Sequence, residues 1–367
     1  MRAIVTGQVG VEKGPYLEAV KQTARKAGFD LEVCHVGRMM YQEAPDVPQG
    51  RILNLPISRL NTLRRAVFKE IIKMAERHEH VLVNTHATFR WRHGLFAAFD
   101  YDQIKAFNAD VYITLLDNAE SVHQRLMRDH DIDHTLKDIM VWREEELLAT
   151  EMLANILKGY GHFFMVSRGR NIPTTQTIYR LMFERDKKKV YPSFPMSHVM
   201  DLPDTLAEID RFRATINEQF IAFDPGDVDE FVLHTTAQKA SAEGKETIEV
   251  QAADGPVTLK TSEVEQISGD IMGQIYMRDF KMVDQSDMIV SYVPQLPNGK
   301  PGLSSGVERE LHHAFEGGKE VYVVWACKGI PSPFITETAT KIFSTVDEAL
   351  AHFEGQGMFG EKNLFGH

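Results

Sequence analysis

Ala3-Ile4-Val5 leads directly into Gly7-Gln8-Val9-Gly10-Val11-Glu12-Lys13-Gly14, and from there into a segment where Leu17, Val20, Ala24 and Ala27 recur at helical spacing. An apolar strand, a glycine-bearing turn and a helix able to cover a sheet make the opening unit of an α/β layer. The turn is close to the phosphate-loop pattern G-x-x-x-x-G-K-[ST], in the strand-to-helix setting that the pattern requires. Such a loop surrounds phosphate oxygens with backbone N–H groups and a helix N-terminus, while its lysine reaches the outer phosphates. Gly7, Gly10, Lys13 and Gly14 are therefore candidate phosphate contacts. Two positions depart from the pattern. Glu12 stands where the second glycine belongs and brings a carboxylate toward the anion, and Gly14 replaces the hydroxyl residue that would ligate Mg²⁺.

The same alternation continues along the chain. Strand-like runs at Leu31–Val33, Val81–Val83, Val111–Leu116 and Phe163–Val166 are separated by helical segments at Leu63–Arg77 and Ile139–Leu157, and a helix at Thr174–Phe183 closes the half. The charged stretch Glu184–Lys189 interrupts the apolar pattern, which predicts two domains, 1–185 and 186–367. The second repeats the alternation: Leu206, Ile209, Phe212 and Ile216 share a helix face, and strands are predicted at Val190-Tyr191, Phe220–Phe223, Met288–Val293 and Val321–Trp325. Thr247–Leu259 alternates around Asp254-Gly255 as a β-hairpin would, and is predicted to be an insertion in the second domain.

At about 150 residues per domain, 367 residues also argue for two domains. With 43% apolar and 25% charged residues the chain is neither disordered nor fibrous, and no apolar run is long enough to span a bilayer. Met1-Arg2-Ala3-Ile4 leads into a strand rather than a signal sequence, so a cytoplasmic protein is expected. Cys34 and Cys327 are the only cysteines, too few for a disulfide framework or thiolate metal site. With 41 basic against 52 acidic residues the net charge of −11 speaks against nucleic acid as partner. Asp129-His130-Asp131-Ile132-Asp133-His134 has metal-ligand chemistry but no regular helical ligand pair, and reads as a solvated loop; no metal site is expected.

The first 183 residues resemble the archaeal-type adenylate kinases: Asn84-Thr85-His86-Ala87 matches their D-T-H-A motif with Asn84 for the acidic residue, and Arg125 to Arg128 followed by Glu144-Glu145-Glu146 resembles their short lid and next helix. The resemblance implies a P-loop kinase fold, Arg125 and Arg128 as further phosphate contacts, and ATP or another nucleotide with Mg²⁺ as the cofactor option. The departures on the chemistry point to a nucleotide-binding domain that has lost phosphoryl transfer.

In the second half, Lys189–Ser197 is a strand running into a small-residue and proline loop, and Ser193, Phe194, Pro195 and Met196 are candidate substrate contacts there. Further on come Arg278-Asp279 before an apolar strand and Ser304-Ser305-Gly306-Val307-Glu308-Arg309-Glu310-Leu311 at a helix start. Free N–H groups at Ser304, Ser305 and Gly306 can hold a phosphate or ribose oxygen. One turn on, the Glu310 carboxylate can attack an anomeric carbon or stabilise oxocarbenium charge, and Asp279 can protonate the leaving base or orient the glutamate. This pattern resembles the nucleoside 2-deoxyribosyltransferase family, most closely its 2′-deoxynucleoside 5′-phosphate N-hydrolase branch. The resemblance implies a flavodoxin-like second sheet, Glu310 and Asp279 as the catalytic pair, Tyr191 at the sugar, Ser304 at the 5′-phosphate, and a homo-oligomer. The family's D-x-G-T is absent, which leaves substrate and acceptor open.

The expectation is thus an α/β protein of two doubly wound parallel-sheet domains. It would cleave or exchange the N-glycosidic bond of a small-molecule nucleoside or nucleotide without a cofactor for that step. The alternatives are a nucleotide sensor without turnover and a working nucleoside monophosphate kinase in the first half.

Overall fold

The computed structural model describes residues 1–92, 94–130, 134–169, 174–196 and 199–359. The strands, in chain order, are β1 (Arg2–Thr6), β2 (Leu31–His35), β3 (His80–Asn84), β4 (Thr88–Trp91), β5 (Gly94–Ala97), β6 (Val111–Leu116), β7 (Phe163–Ser167), β8 (Lys189–Ser193), β9 (Ile221–Ala222), β10 (Thr247–Ala252), β11 (Gly255–Lys260), β12 (Met288–Pro294), β13 (Glu320–Ala326) and β14 (Lys341–Phe343).

They fall into two compact units. The first comprises Met1–Phe183 and Asp227–Ile275, the second Glu184–Gly226 and Tyr276–His367. The division at 183/184 lies beside the boundary expected from the charged stretch, but the second half is not the uninterrupted 186–367 unit predicted. Residues 227–275, with the β10–β11 hairpin, belong to the first unit. The reason is electrostatic as well as apolar: the hairpin turn carries Asp254 onto Arg125 at 3.1 Å and Arg128 at 2.9 Å. Alternation in the sequence marks a hairpin and which of its faces is apolar, and is silent about the surface that face meets.

The first unit is built on an all-parallel five-stranded sheet in the order β2-β3-β1-β6-β7. Every residue of β6 is buried, as a strand covered on both faces must be. On the helix Lys13–Lys26, Leu17, Val20 and Ala24 are buried and lie one turn apart. The core includes Phe68, Phe107, Tyr112 and Trp142, all inaccessible to solvent. The β4–β5 hairpin and the helix Val36–Glu43 have no counterpart among the elements expected from the sequence.

The second unit has an all-parallel sheet in the order β14-β13-β12-β8-β9. Taken in chain order within the unit, this is the flavodoxin-like 2-1-3-4-5 arrangement, whose order reverses between its first and third strands, β8 and β12. The carboxyl ends of those two strands open the crevice where such sheets take ligands. All seven residues of β12 are buried, and the helix Ser305–Glu316 packs through Val307, Leu311 and Ala314. The predicted strand at Phe220–Phe223 is shorter, Ile221–Ala222. Among the described residues no helix is long and apolar enough to cross a membrane.

Candidate functional site

The crevice of the second unit assembles from three sequence-distant elements. Tyr191 and Ser193 occupy alternate positions of β8, so their side chains leave the same face. Glu310 sits in the second turn of the helix Ser305–Glu316. Its Oε1 accepts a hydrogen bond from the Tyr191 hydroxyl at 3.0 Å and its Oε2 one from the Ser193 hydroxyl at 2.6 Å. Tyr191 and Ser193 are wholly buried. Burial pushes the Glu310 carboxyl above its ordinary range, and the two hydroxyl donors pull against that shift. Burial likewise drives the Tyr191 phenol well above its usual value, reinforced first by the charge of Asp279 and then by that of Glu310. Asp279, from the helix Ser268–Asp284, therefore acts electrostatically on the same hydroxyl that holds Glu310. Glu310 thus bonds Tyr191 directly, and Asp279 raises the same phenol through its charge.

Ser304 caps the helix, its Oγ accepting from the Val307 N–H at 3.2 Å, while Ser305 and Gly306 are exposed at the first turn. Their N–H groups have no partner within the helix, as the first turn dictates. The predicted contacts Phe194, Pro195 and Met196 lie differently. Phe194 is a core residue whose ring lies under the Arg213 guanidinium at 5.2 Å, Pro195 is buried, and Met196 packs against the same core; Ser197 lies outside the described residues. Arg213 in turn pairs with buried Asp224 at 2.8 Å. The sequence reading missed Ser291. It is wholly buried on β12 directly beside Ser193, and its hydroxyl finds no partner among the described residues. Small polar residues at equivalent places on the two switch-point strands were the available signal.

In the first unit the phosphate loop follows β1. Gly7 has φ +142 and Gly10 φ +90, and a Cβ on Gly7 would meet the Leu115 carbonyl oxygen at 2.6 Å. Both positions need glycine. Glu12 keeps the left-handed backbone of the glycine it replaces, with φ 55 and ψ 47. Lys13 is buried, donates from Nζ to the Gly7 carbonyl and lies 3.3 Å from His86 Nδ1. Burial lowers its ammonium to about 8, against the pull of Glu146. Glu146 accepts from the N–H groups of Gly7, Ala87 and Thr88 at 2.7–2.9 Å and from the Thr88 hydroxyl at 2.8 Å. Gly14 has open space around it and carries no hydroxyl, and the amide of Asn84 faces His35 at 2.9 Å. Gly14 brings no hydroxyl, and Asn84 offers a neutral amide oxygen in place of a carboxylate, so a Mg²⁺–nucleotide would meet fewer and weaker oxygen ligands here than the pattern supplies.

Arg125 and Arg128 are engaged internally. Arg125, wholly buried, donates to Asp117 at 2.6 Å and to the Gly10 carbonyl at 3.0 Å; Arg128 donates to Glu12 at 2.8 Å. Next to the loop is a cavity of about 180 Å³, bounded by Met40, Ile52, Leu53, Phe89, His86 and Arg64 among others. Burial lowers the Arg64 guanidinium to about 10, and its Nη2 has no partner among the described residues. Of the Asp129–His134 loop, 131–133 lie outside the described residues.

Comparisons with known proteins bear on the first unit. A family model described as an AAA domain matches residues 6–143. Adenylate kinases of Pyrococcus furiosus and Pyrococcus abyssi are 27% and 28% identical over 149 residues, covering 39% of this chain and 74% of each relative. A solved shikimate kinase from Bacteroides thetaiotaomicron is 14% identical, covering 46% of this chain and 86% of its own, with a TM-score of 0.29, too low to bear on the fold. The first unit is a P-loop kinase-like domain.

Proposed function

We propose that the protein breaks or exchanges the N-glycosidic bond of a small nucleoside or nucleotide in its second unit, with Glu310 as nucleophile. The observation that carries this reading is the clamp on Glu310: a part-buried carboxylate at the switch point of a flavodoxin-like sheet, held by the hydroxyls of Tyr191 and Ser193. A carboxylate held only by hydroxyl donors among the described residues costs stability, and such costs gather where chemistry is done, which supports the reading. Both oxygens are hydrogen-bonded, so the group is aimed and cannot rotate freely.

The reaction then runs in two displacements. A Glu310 oxygen forms a bond to C1′ as the C1′–N bond breaks, its electron pair leaving with the base, and Asp279 delivers the proton that makes the base a good leaving group. Water, or a second base, next attacks C1′, releases the carboxylate and returns the proton to Asp279. Tyr191 and Ser193 hold the carboxylate through both steps. The exposed first turn at Ser305 and Gly306 offers N–H groups to a 5′-phosphate or sugar oxygen. No cofactor enters these steps. By resemblance the working form is a homo-oligomer; the net charge of −11 speaks against nucleic acid as partner.

The test is a panel of nucleosides, 5′-monophosphates and NAD, assayed for free base and for exchanged nucleoside, with Glu310→Ala as control. Product formed by the native chain and lost in Glu310→Ala supports the reading, and absence of product across the panel overturns it. Tight binding with no product over hours would instead favour a nucleotide sensor.

A second reading, phosphoryl transfer by the first unit, has one observation in its favour. Lys13, Gly7 and Gly10 keep phosphate-loop geometry beside a cavity with an unpaired arginine nitrogen. Phosphoryl transfer lost in Lys13→Ala and kept in Glu310→Ala would single it out.

A further inference from the structure

Glu12 and Asp254 come from opposite parts of the sequence, yet their carboxylates share Arg125 and Arg128 of the first unit, and Glu12 also reaches Arg168. Glu12 lies 2.8 Å from Arg128, 3.6 Å from Arg125 and 3.5 Å from Arg168. Asp254, at the tip of the β10–β11 hairpin, lies 2.9 Å from Arg128 and 3.1 Å from Arg125. Asp117 and Asp129 complete the cluster, so that three guanidinium groups face four carboxylates. An arginine group beside a phosphate loop is suited to polyphosphate, but here its charge is already more than neutralised.

Three details argue that this occupancy is built rather than incidental. Glu12 adopts the left-handed backbone that costs a residue with a Cβ on the order of 1 kcal/mol, and its side chain spans the arginines from there. Arg125 is wholly buried, where charge pairs are little screened, and its Nη2 still lacks a partner among the described residues. The hairpin is tied down next to the cluster, with Ser121 Oγ accepting from the Ala253 N–H at 3.0 Å and Gln124 Nε2 donating to the carbonyls of Gly255 and Pro256 at 3.4 Å.

We infer that the β10–β11 hairpin and Glu12 form a carboxylate plug that occupies the phosphate-binding arginines of the first unit, so that a polyphosphate binds there only by displacing the hairpin tip. Glu12 imitates a phosphate oxygen from the loop side, and Asp254 does so from the hairpin side. The first unit is therefore gated by its own chain, and it gains anion affinity when the plug is removed.

The experiment is calorimetric titration of the full chain with inorganic tripolyphosphate, a probe that carries no sugar or base for the second unit to read. Four proteins are compared: native, Glu12→Gly, Asp254→Asn and the double variant. Glycine takes a φ of 55 without strain, so Glu12→Gly should fold at least as well as the native chain. The expected result is affinity rising on the order of tenfold for each carboxylate removed, and the gain disappearing when Arg128→Ala is added. Equal affinity in all four, no binding by the double variant at millimolar probe, or a gain that survives Arg128→Ala would overturn the inference. If Asp254→Asn unfolds the hairpin, the native chain supplies the test by limited trypsin digestion. Saturating tripolyphosphate should speed cleavage at Lys245 and Lys260, which flank the hairpin, and unchanged cleavage would count against displacement.

Discussion

Replacing Lys13 by methionine should stabilise the first unit, and by an amount that depends on pH in a way fixed by its burial. The ammonium has an ordinary value of 10.5 and is lowered to about 8 in the fold, because desolvation outweighs the attraction of Glu146. A difference of that size corresponds to about 3 kcal/mol. The sign follows from proton counting. Between pH 8 and 10.5 the unfolded chain holds the proton and the folded chain has released it, so folding stability rises with pH across that window. Below pH 8 both states are protonated and the folded state carries the whole cost of the buried charge. Lys13→Met removes it. At pH 7 the variant should therefore melt about 6–12 °C higher, at 2–4 °C per kcal/mol for a unit of this size. The advantage should shrink steadily above pH 8 and vanish near pH 10.5. Differential scanning calorimetry of both proteins at half-unit steps from pH 6.5 to 10.5 reads it directly. A melting difference that stays flat over this range, or a variant less stable at pH 7, would show that the ammonium is already paired or solvated, and the reasoning would fail.

Glu310→Gln should abolish glycosidic turnover by about 10³-fold or more, while raising the melting temperature at neutral pH, because a carboxyl whose folded value is raised loses stability as pH climbs above its ordinary 4.5; the stability gain over the native chain should grow with pH, and a gain that falls with pH would refute the burial argument. Tyr191→Phe removes one of the two donors to Glu310 and should lower kcat/KM about 10–100-fold, as expected for a hydrogen bond to a charged group. It should also move the acidic limb of the pH profile upward, since a bond that holds the carboxylate down is gone, and a profile that does not move would assign Tyr191 to packing alone. Arg64→Met should raise the melting temperature of the first unit, because a buried guanidinium with an unpartnered nitrogen is exchanged for an apolar chain of similar length; an unchanged or lower value in thermal unfolding would indicate that the cavity already satisfies that nitrogen.

The parts of the fold that announce themselves in the sequence are those set by local periodicity. β6 is buried along its whole length, and the apolar run at Val111–Leu116 matches the strand residue for residue; the helix predicted at Ile139–Leu157 is found at Leu136–Lys158. That Tyr191 and Ser193 share a face of β8 follows from strand alternation, whereas their hydrogen bonds to Glu310 join positions more than a hundred residues apart, which no local pattern records. What the sequence hides is choice among partners. The alternation of Thr247–Leu259 marks a hairpin but not the surface that receives it, because Asp254 matches any exposed arginine until the fold brings Arg125 and Arg128 into reach. Phe194 looks like a loop residue open to a ligand and is instead anchored in the core by Arg213, a contact across distant positions that no local pattern records.

The residues that break local rules gather in two places. Glu12 takes a backbone suited to glycine, Lys13 keeps a cation out of water, and Glu310 keeps a carboxylate among hydroxyls, with no ion pair among the described residues. Each costs stability that a plain apolar or glycine residue would not, and a fold tolerates such costs chiefly where they serve a site. The two sites differ in how the misfit is resolved. At Glu12 the strain is met by arginines inside the same unit, so the charge is quenched and a ligand must compete for it. At Glu310 only neutral donors are supplied, so the charge remains available to an electron-poor carbon. Chemistry is accordingly expected of the second unit and control of anion access in the first. The decisive contrast is that removing a carboxylate should create binding in one unit and destroy turnover in the other.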